Sequence, residues 1–250
     1  MWEFSLHFDK NLLPYFTLLK TKLKDLCKTS SNCIAIGIKN DAYVFMVAFK
    51  KSFADNIILY LKEKIAEIIC IYYKPMYILQ SIKNFDIKNQ NNVVLLDILS
   101  SYDFEQDKNY IINNISLCGK LYLSSFVNFK LKEQTKKWRE IGALINENSV
   151  ALLDDAVRLE LTKFLMSGIS SRKDKIILKL INNKIELFDK NDIPIDCNKI
   201  FYAQNSYDNV LFALINHSPQ HIEISNYTKF DVQFLNAVHK IFGKKVKLLR

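Results

Sequence analysis

The stretch KIILKLI-NN-KIELF, Lys175 to Phe188, decides how this chain is read. Two apolar-rich runs flank Asn182-Asn183, and both asparagines tolerate the positive φ that a tight two-residue turn demands. The stretch predicts a β-hairpin. Downstream, Asp208 to Asn216 reads as a helix and His221 to Ile224 as a strand. Asp231 to Phe242 then reads as a helix closed by Gly243, and Lys245 to Leu249 as a final strand. The last three elements have the order of a βαβ unit, whose crossover is right-handed.

Upstream of the hairpin the periodicity is helical. Met76 to Phe85, Val93 to Ser100 and Glu105 to Ser116 predict short helices. A longer helix is expected over Ser124 to Ile145, with Val127, Leu131, Trp138, Ile141 and Ile145 on one stripe. After Asn146-Glu147-Asn148 a second helix is expected to run to Met166. Its inward side would hold Val150, Leu153, Val157, Leu161 and Phe164, and Gly168 would stop it. So short a break favours an antiparallel pair.

At the start of the chain, Trp2, Phe4, Leu6 and Phe8 alternate with Glu3, Ser5 and His7, the pattern of a half-buried strand. Asp9 is the expected N-cap of a helix carrying Leu12, Phe16, Leu19, Leu23 and Leu26. Asn32 to Ile38 and Ala42 to Phe49 predict a second hairpin about Lys39-Asn40-Asp41. Ser52 should then cap a long helix through Phe53, Ile57, Leu61, Ile65 and Ile68 that ends before Pro75. The predicted class is α+β. Residues 1–74 form an N-terminal mixed α/β part and 75–171 a helical region with an antiparallel helix pair. Residues 172–250 form a small C-terminal α/β part with a hairpin and a βαβ-like unit.

Composition agrees with a folded object. The 250 residues are 49% hydrophobic, and 5 Gly and 4 Pro leave little for flexible linkers or a turn-rich sandwich. The five cysteines, Cys27, Cys33, Cys70, Cys118 and Cys197, form no CxxC pair and are expected to be reduced core residues. Met1-Trp2-Glu3-Phe4 shows no secretory pattern. The most apolar tract, Ile57 to Leu79, is broken by Lys62, Glu63, Lys64, Glu67 and Lys74, which argues against a membrane span. A cytoplasmic location is expected.

No Gly-rich phosphate loop, GxSxG, HExxH or DxDxDG can be written in this sequence. Asp154-Asp155 diverge by about 100° on a helix, so they cannot converge as an acid/base pair. His217 and His221 have a His-x3-His spacing with Cys197 upstream. Pro219 separates them and a fourth ligand is missing, so neither a metal nor a cofactor is expected. His7 and His239 are expected to be isolated surface residues.

Net charge is +9, carried mostly by Lys; the arginines are Arg139, Arg158, Arg172 and Arg250. The basic run Lys130, Lys132, Lys136, Lys137 and Arg139, near Phe126, Phe129 and Trp138, holds the candidate nucleic-acid contacts of the central helix. Pairing with Glu147, Asp154, Asp155 and Glu160 across the helix pair accounts for the same lysines, and Trp138 is in phase with the buried stripe. Lys240, Lys244, Lys245, Lys247 and Arg250 form a second cluster, which edge-strand protection also explains.

The segment Ser125-Phe126-Val127-Asn128-Phe129-Lys130-Leu131-Lys132 resembles the signature F-x-x-F-R-L-K of the YtxC-like family, sporulation proteins of spore-forming Firmicutes. The similarity continues through Asp155-Ala156-Val157 and the apolar run to Phe164, then the hairpin of Lys175 to Phe188. It ends with Ala213-Leu214-Ile215, Pro219-Gln220-His221-Ile222-Glu223-Ile224 and Ile241-Phe242-Gly243. It covers about the second half of the chain. Where the family commonly has Arg, this chain has Lys130, which removes the bidentate anion contact an Arg would offer. The resemblance implies a role in endospore formation in a bacterial cytosol and supplies no catalytic residue or cofactor. The leading expectation is a non-enzymatic protein that acts through contacts with an unknown protein partner. The second is a nucleic-acid-binding protein using the lysine clusters, and the third an enzyme with a cryptic site between the two α/β parts.

Overall fold

The computed structural model describes residues 1–26, 33–39, 42–50, 54–83, 85–86, 90–147, 163–164, 166, 173–195 and 206–249. Its class is α+β. The chain divides into two units, Met1–Lys74 with Glu105–Trp138, and Pro75–Phe104 with Arg139–Arg250. This grouping differs from three consecutive segments at 1–74, 75–171 and 172–250.

In the first unit the alternating residues of Trp2–Phe8 make strand β1, with Phe4, Leu6 and Phe8 buried. Cys33–Lys39 and Ala42–Phe49 follow as β2 and β3, an antiparallel pair, and β3 runs antiparallel to β1. Gly119–Tyr122 adds β4 alongside β1 in parallel, so the order is β2-β3-β1-β4. Helix α1, Leu13–Leu26, packs on the inner face through Phe16, whose ring lies 4.2 Å from that of Phe8 and 5.6 Å from that of Phe45. Buried Leu61, Ile65 and Ile69 of α2, Ala54–Ser81, add to the same unit's core. A parallel neighbour for β1 needs a long connection rather than a hairpin. Here the connection holds α1, β2, β3 and α2, followed by α3 (Gln90–Ser101) and α4 (Phe104–Asn114).

The second unit contains β5 (Lys175–Ile181), β6 (Lys184–Asp189), β7 (Pro194–Ile195), β8 (His221–Ser225) and β9 (Val246–Leu249), in the order β7-β6-β5-β8-β9. Asn182 and Asn183 both have positive φ, 50° and 60°, as the predicted hairpin turn requires. Strand β8 is parallel to β5 and to β9. Helix α5, Lys132–Glu147, precedes this sheet in the chain, and two connecting helices, α6 (Ser206–His217) and α7 (Val232–Phe242), lie between its strands in the sequence. The order β8-α7-β9 is the predicted βαβ unit. Asp231 caps α7 by accepting from the N–H groups of Gln233 and Phe234, and Gly243 closes it at φ 53°. Ile176, Leu178, Leu187, Ile222 and Ile224 of the sheet meet Leu214, Phe234 and Val238 of the helices in one core, joined by Val94, Ile98 and Met166.

Several local expectations change. Asp9 makes no side-chain cap; Lys10–Leu12 form a 3-10 turn, and Asp9 Oδ2 instead accepts from the Tyr73 hydroxyl at 3.1 Å. Helix α2 does not end before Pro75 but continues to Ser81. Proline costs about 3 kcal/mol in a helix interior. Buried Ile68, Ile69, Ile71 and Tyr73 before it, and Tyr77 and Ile78 after it, outweigh that loss. The helix expected over 124–145 is interrupted. Leu123–Ser125 is a single helical turn, Phe126–Lys130 is a π-helical turn, and the regular helix α5 spans Lys132–Glu147. Cys33 and Cys118 are exposed, the first opening an edge strand and the second in the loop before β4; among the described cysteines only Cys70 fits the expectation of a buried thiol. Phe164 is 71% exposed rather than inward, and Met166 is buried. The rest of the second central helix, with Asp154-Asp155 and Gly168, lies outside the described residues, as do Ser52, Cys27 and Cys197.

Candidate functional site

Most lysines keep their ammonium in water, but Lys74 on α2 is completely buried. Its Nζ lies 2.6 Å from Oδ2 of Asp107 on α4, itself 1% exposed. Trp138 Nε1–H donates to the same Oδ2 at 3.0 Å. The other carboxylate oxygen, Oδ1, accepts from Gln134 Nε2 at 2.5 Å and lies 3.5 Å from Lys137 Nζ. Four donors from α2 and α5 thus converge on one carboxylate, which has about four lone-pair sites to offer. Burial pulls the Lys74 ammonium below its ordinary pKa, and the Asp107 carboxylate works against that by holding the proton in place. One turn earlier on α2, burial pushes the Cys70 thiol well up, with the Lys74 ammonium offsetting only part of it. A protonated thiol is a poor nucleophile. The cluster ties α2, α4 and α5 together and presents no open valence to a substrate.

The π-helical turn lies directly before α5. Leu131 N–H donates to Phe126 O at 3.3 Å, the five-residue spacing that defines such a turn. In an α-helix, positions five apart are roughly 140° out of phase. The wider turn lets Phe126, Val127 and Leu131 all be buried. The same geometry leaves Phe129 69% exposed, with Lys132 Nζ 6.0 Å from its ring centroid. Lys130 is exposed beside it.

The candidate lysines are distributed over several environments. Lys132, Lys136 and Arg139 are exposed on α5 at spacings of four and three, and Lys137 turns toward Asp107. The Arg139 guanidinium lies 4.6 Å from the centroid of the buried Tyr77 ring. Lys244 and Lys245 belong to the 3-10 turn Gly243–Lys245 and Lys247 to β9; all three are exposed, and β9 is an edge of its sheet. No family model matches this chain, and neither a curated protein nor a solved structure resembles it.

His217 is the last residue of α6 and His221 the first of β8; Cys197 lies outside the described residues. Among the described residues, no three His, Cys, Asp or Glu side chains come together as metal ligands, and no helix is long and apolar enough to cross a membrane. His7 is not isolated: its ring stacks on Tyr122 at 4.3 Å and 25°. Asp107, Lys74 and Gln134 were missed by sequence reasoning. The one available signal was a lysine inside the most apolar tract of the chain. Trp138, by contrast, is buried as its stripe predicts.

Proposed function

We propose that this chain is a non-enzymatic protein of endospore formation, acting in the cytosol of a sporulating bacterium through contacts with another protein. The observation that carries the reading is Phe129, exposed by a π-helical turn inside the segment that resembles the family signature. π turns in helices are frequent at functional positions, and this one turns an aromatic ring outward between lysines. Lys130 and Lys132 beside it suit a partner with an apolar pocket and an acidic rim. The saturated Lys74–Asp107 cluster supports a structural role for the most perturbed polar groups, rather than a catalytic one.

The test is affinity capture from sporulating cells with wild-type and Phe129→Ala baits, each with and without nuclease and over graded salt. A specific partner retained after nuclease and at moderate salt, and lost with Phe129→Ala, is the expected result. Capture that disappears with nuclease and falls steeply with salt would instead favour nucleic-acid binding. That second reading has one observation behind it, the exposure of Lys244, Lys245 and Lys247 at one edge of a sheet.

A further inference from the structure

The N-terminal sheet buries one face against α1, through Phe16, and leaves much of the other open. Register places Glu3, Ser5 and His7 of β1, Val44, Met46 and Ala48 of β3, and Lys120 and Tyr122 of β4 on that second face; Val44, opposite His7, is buried, while Met46, Lys120 and Tyr122 are exposed. Gly37 of β2 lies there too, and a Cβ built on it would meet only the Met46 Cε, at 3.9 Å. Small side chains leave a shallow depression of about 430 Å³ between Ser5, Met46, Ala48 and Lys120. At one end the face carries the stacked His7–Tyr122 pair. Tyr122 is 52% exposed, and β4 is an edge strand, so among the described residues no further strand lies on the outer side of its ring. Lys120 on β4 and Lys39 on β2 both act electrostatically on His7. They stand on the two edge strands of a four-stranded sheet, about 14 Å apart across the strands.

We infer that this open face binds single-stranded nucleic acid, with a base stacked on Tyr122 beside His7 and the sugar-phosphate backbone crossing the sheet between Lys120 and Lys39. Exposed aromatic rings on a sheet, set within a positive track, are the arrangement that accepts unpaired bases without sequence readout. Glu3, the acid on this face, stands at the far end of β1, four residues from His7, so the phosphates are favoured at the aromatic end. A second copy of the chain is a poorer occupant. An isologous pairing would bring Lys39 and Lys120 of each copy into one interface, where like charges repel. The inference does not depend on the protein-contact reading, which concerns Phe129.

The test uses the full chain and fluorescence anisotropy with a labelled uridine dodecamer, its deoxythymidine counterpart and a DNA duplex, at low and moderate salt. Both single strands are expected to bind more tightly than the duplex, and to weaken steeply with salt. Tyr122→Ala should weaken binding about tenfold or more, whereas Tyr122→Phe, which keeps the stacking ring, should bind like wild type. Lys39→Glu with Lys120→Glu should weaken binding and flatten its salt dependence. Lys132→Glu with Lys136→Glu, and Lys244→Glu with Lys245→Glu, probe the other two lysine surfaces, and each should weaken binding less than the Lys39, Lys120 pair at moderate salt, where charges more than a Debye length from the site are screened. All six lysine substitution sites are exposed, and thermal melts check that each variant is folded. Three results would overturn the inference: no binding at low salt, equal affinity of wild type and folded Tyr122→Ala, or a dimer in solution that Tyr122→Ala dissociates.

Discussion

At the scale of single residues, the chain commits its rarest environment to Lys74 and Asp107. Breaking a buried ion pair by removing one partner costs about 3–5 kcal/mol, because the other charge stays buried without compensation. Asp107→Asn leaves Lys74 in that position and turns an acceptor of four donors into a group that itself donates. Its denaturant midpoint should fall accordingly. Lys74→Met combined with Asp107→Asn should cost less than the two single changes added together, since no charge remains to be stranded. Additivity in that cycle would refute a coupled pair. Trp138→Ala should cost about 3–5 kcal/mol through lost packing, and Lys130→Ala should stay within about 0.5 kcal/mol; equal melts for the two would mean that Trp138 contributes no core packing. His7 supplies a pH signature. Burial first, then the charges of Lys120 and Lys39, hold its imidazole below the usual 6.5. With the folded pKa below the unfolded one, the unfolded chain takes up the proton first. His7's contribution to stability is therefore complete above about 6.5, the unfolded value, and is lost as pH falls through the lower folded value. An NMR titration of His7 should show this low midpoint, and Lys120→Ala should raise it; a midpoint at or above 6.5 in the wild type would contradict the geometry.

At the scale of elements, the clearest case is where α5 meets the last turns of α2. A Cβ added at Gly142 would strike the Ile78 carbonyl oxygen and come within 2.9 Å of the Ser81 Cβ. Asn146, one turn further, donates to Ser81 O at 2.6 Å and accepts from Lys83 N at 2.7 Å, so it satisfies groups at the open end of α2. Glycine in an exposed helix usually gains about 1 kcal/mol on replacement by Ala. Here the sign should reverse: Gly142→Ala should destabilise by about 1–3 kcal/mol, because backbone cannot yield as a side-chain tip would. Thermal unfolding of the variant decides it, and a raised melting temperature would show that the helices can separate without cost. Elsewhere, element reading succeeded where the determinants were local. The Asn182-Asn183 turn, the Asp231 cap and the Gly243 stop need nothing beyond their own neighbours. The continuous helix over 124–145 failed because a π turn is chosen by which side chains must be buried, and periodicity alone does not contain that choice.

At the scale of the whole molecule, neither unit is one continuous piece of chain. The first is interrupted between Lys74 and Glu105, and the second contains Pro75–Phe104 as well as everything after Trp138. Residues 1–74 alone would lack β4, which pairs with β1, and would leave Lys74 without Asp107. A fragment ending at Lys74 should therefore show no cooperative melt by circular dichroism. A sharp transition with dispersed amide resonances would show that β4 and α4 are dispensable.

What the amino-acid order determined by itself is the alternation of Trp2–Phe8, the hairpin about Asn182-Asn183, the β8-α7-β9 unit and the burial of Trp138. Each rests on side-chain period, turn chemistry or capping, which act within a few residues. The lysines of the candidate surfaces were legible as composition, since a charge run is visible whatever it contacts. Only the tertiary structure decided that α2 passes through Pro75, that Gly119–Tyr122 becomes a parallel strand on β1, and that Asp107 gathers Lys74, Gln134 and Trp138. It also decided that Tyr122 meets His7. The reason is the same in every case. These features depend on partners about 27 to 115 residues away, whose attraction exists only once the chain has paid the entropy of closing the loop between them.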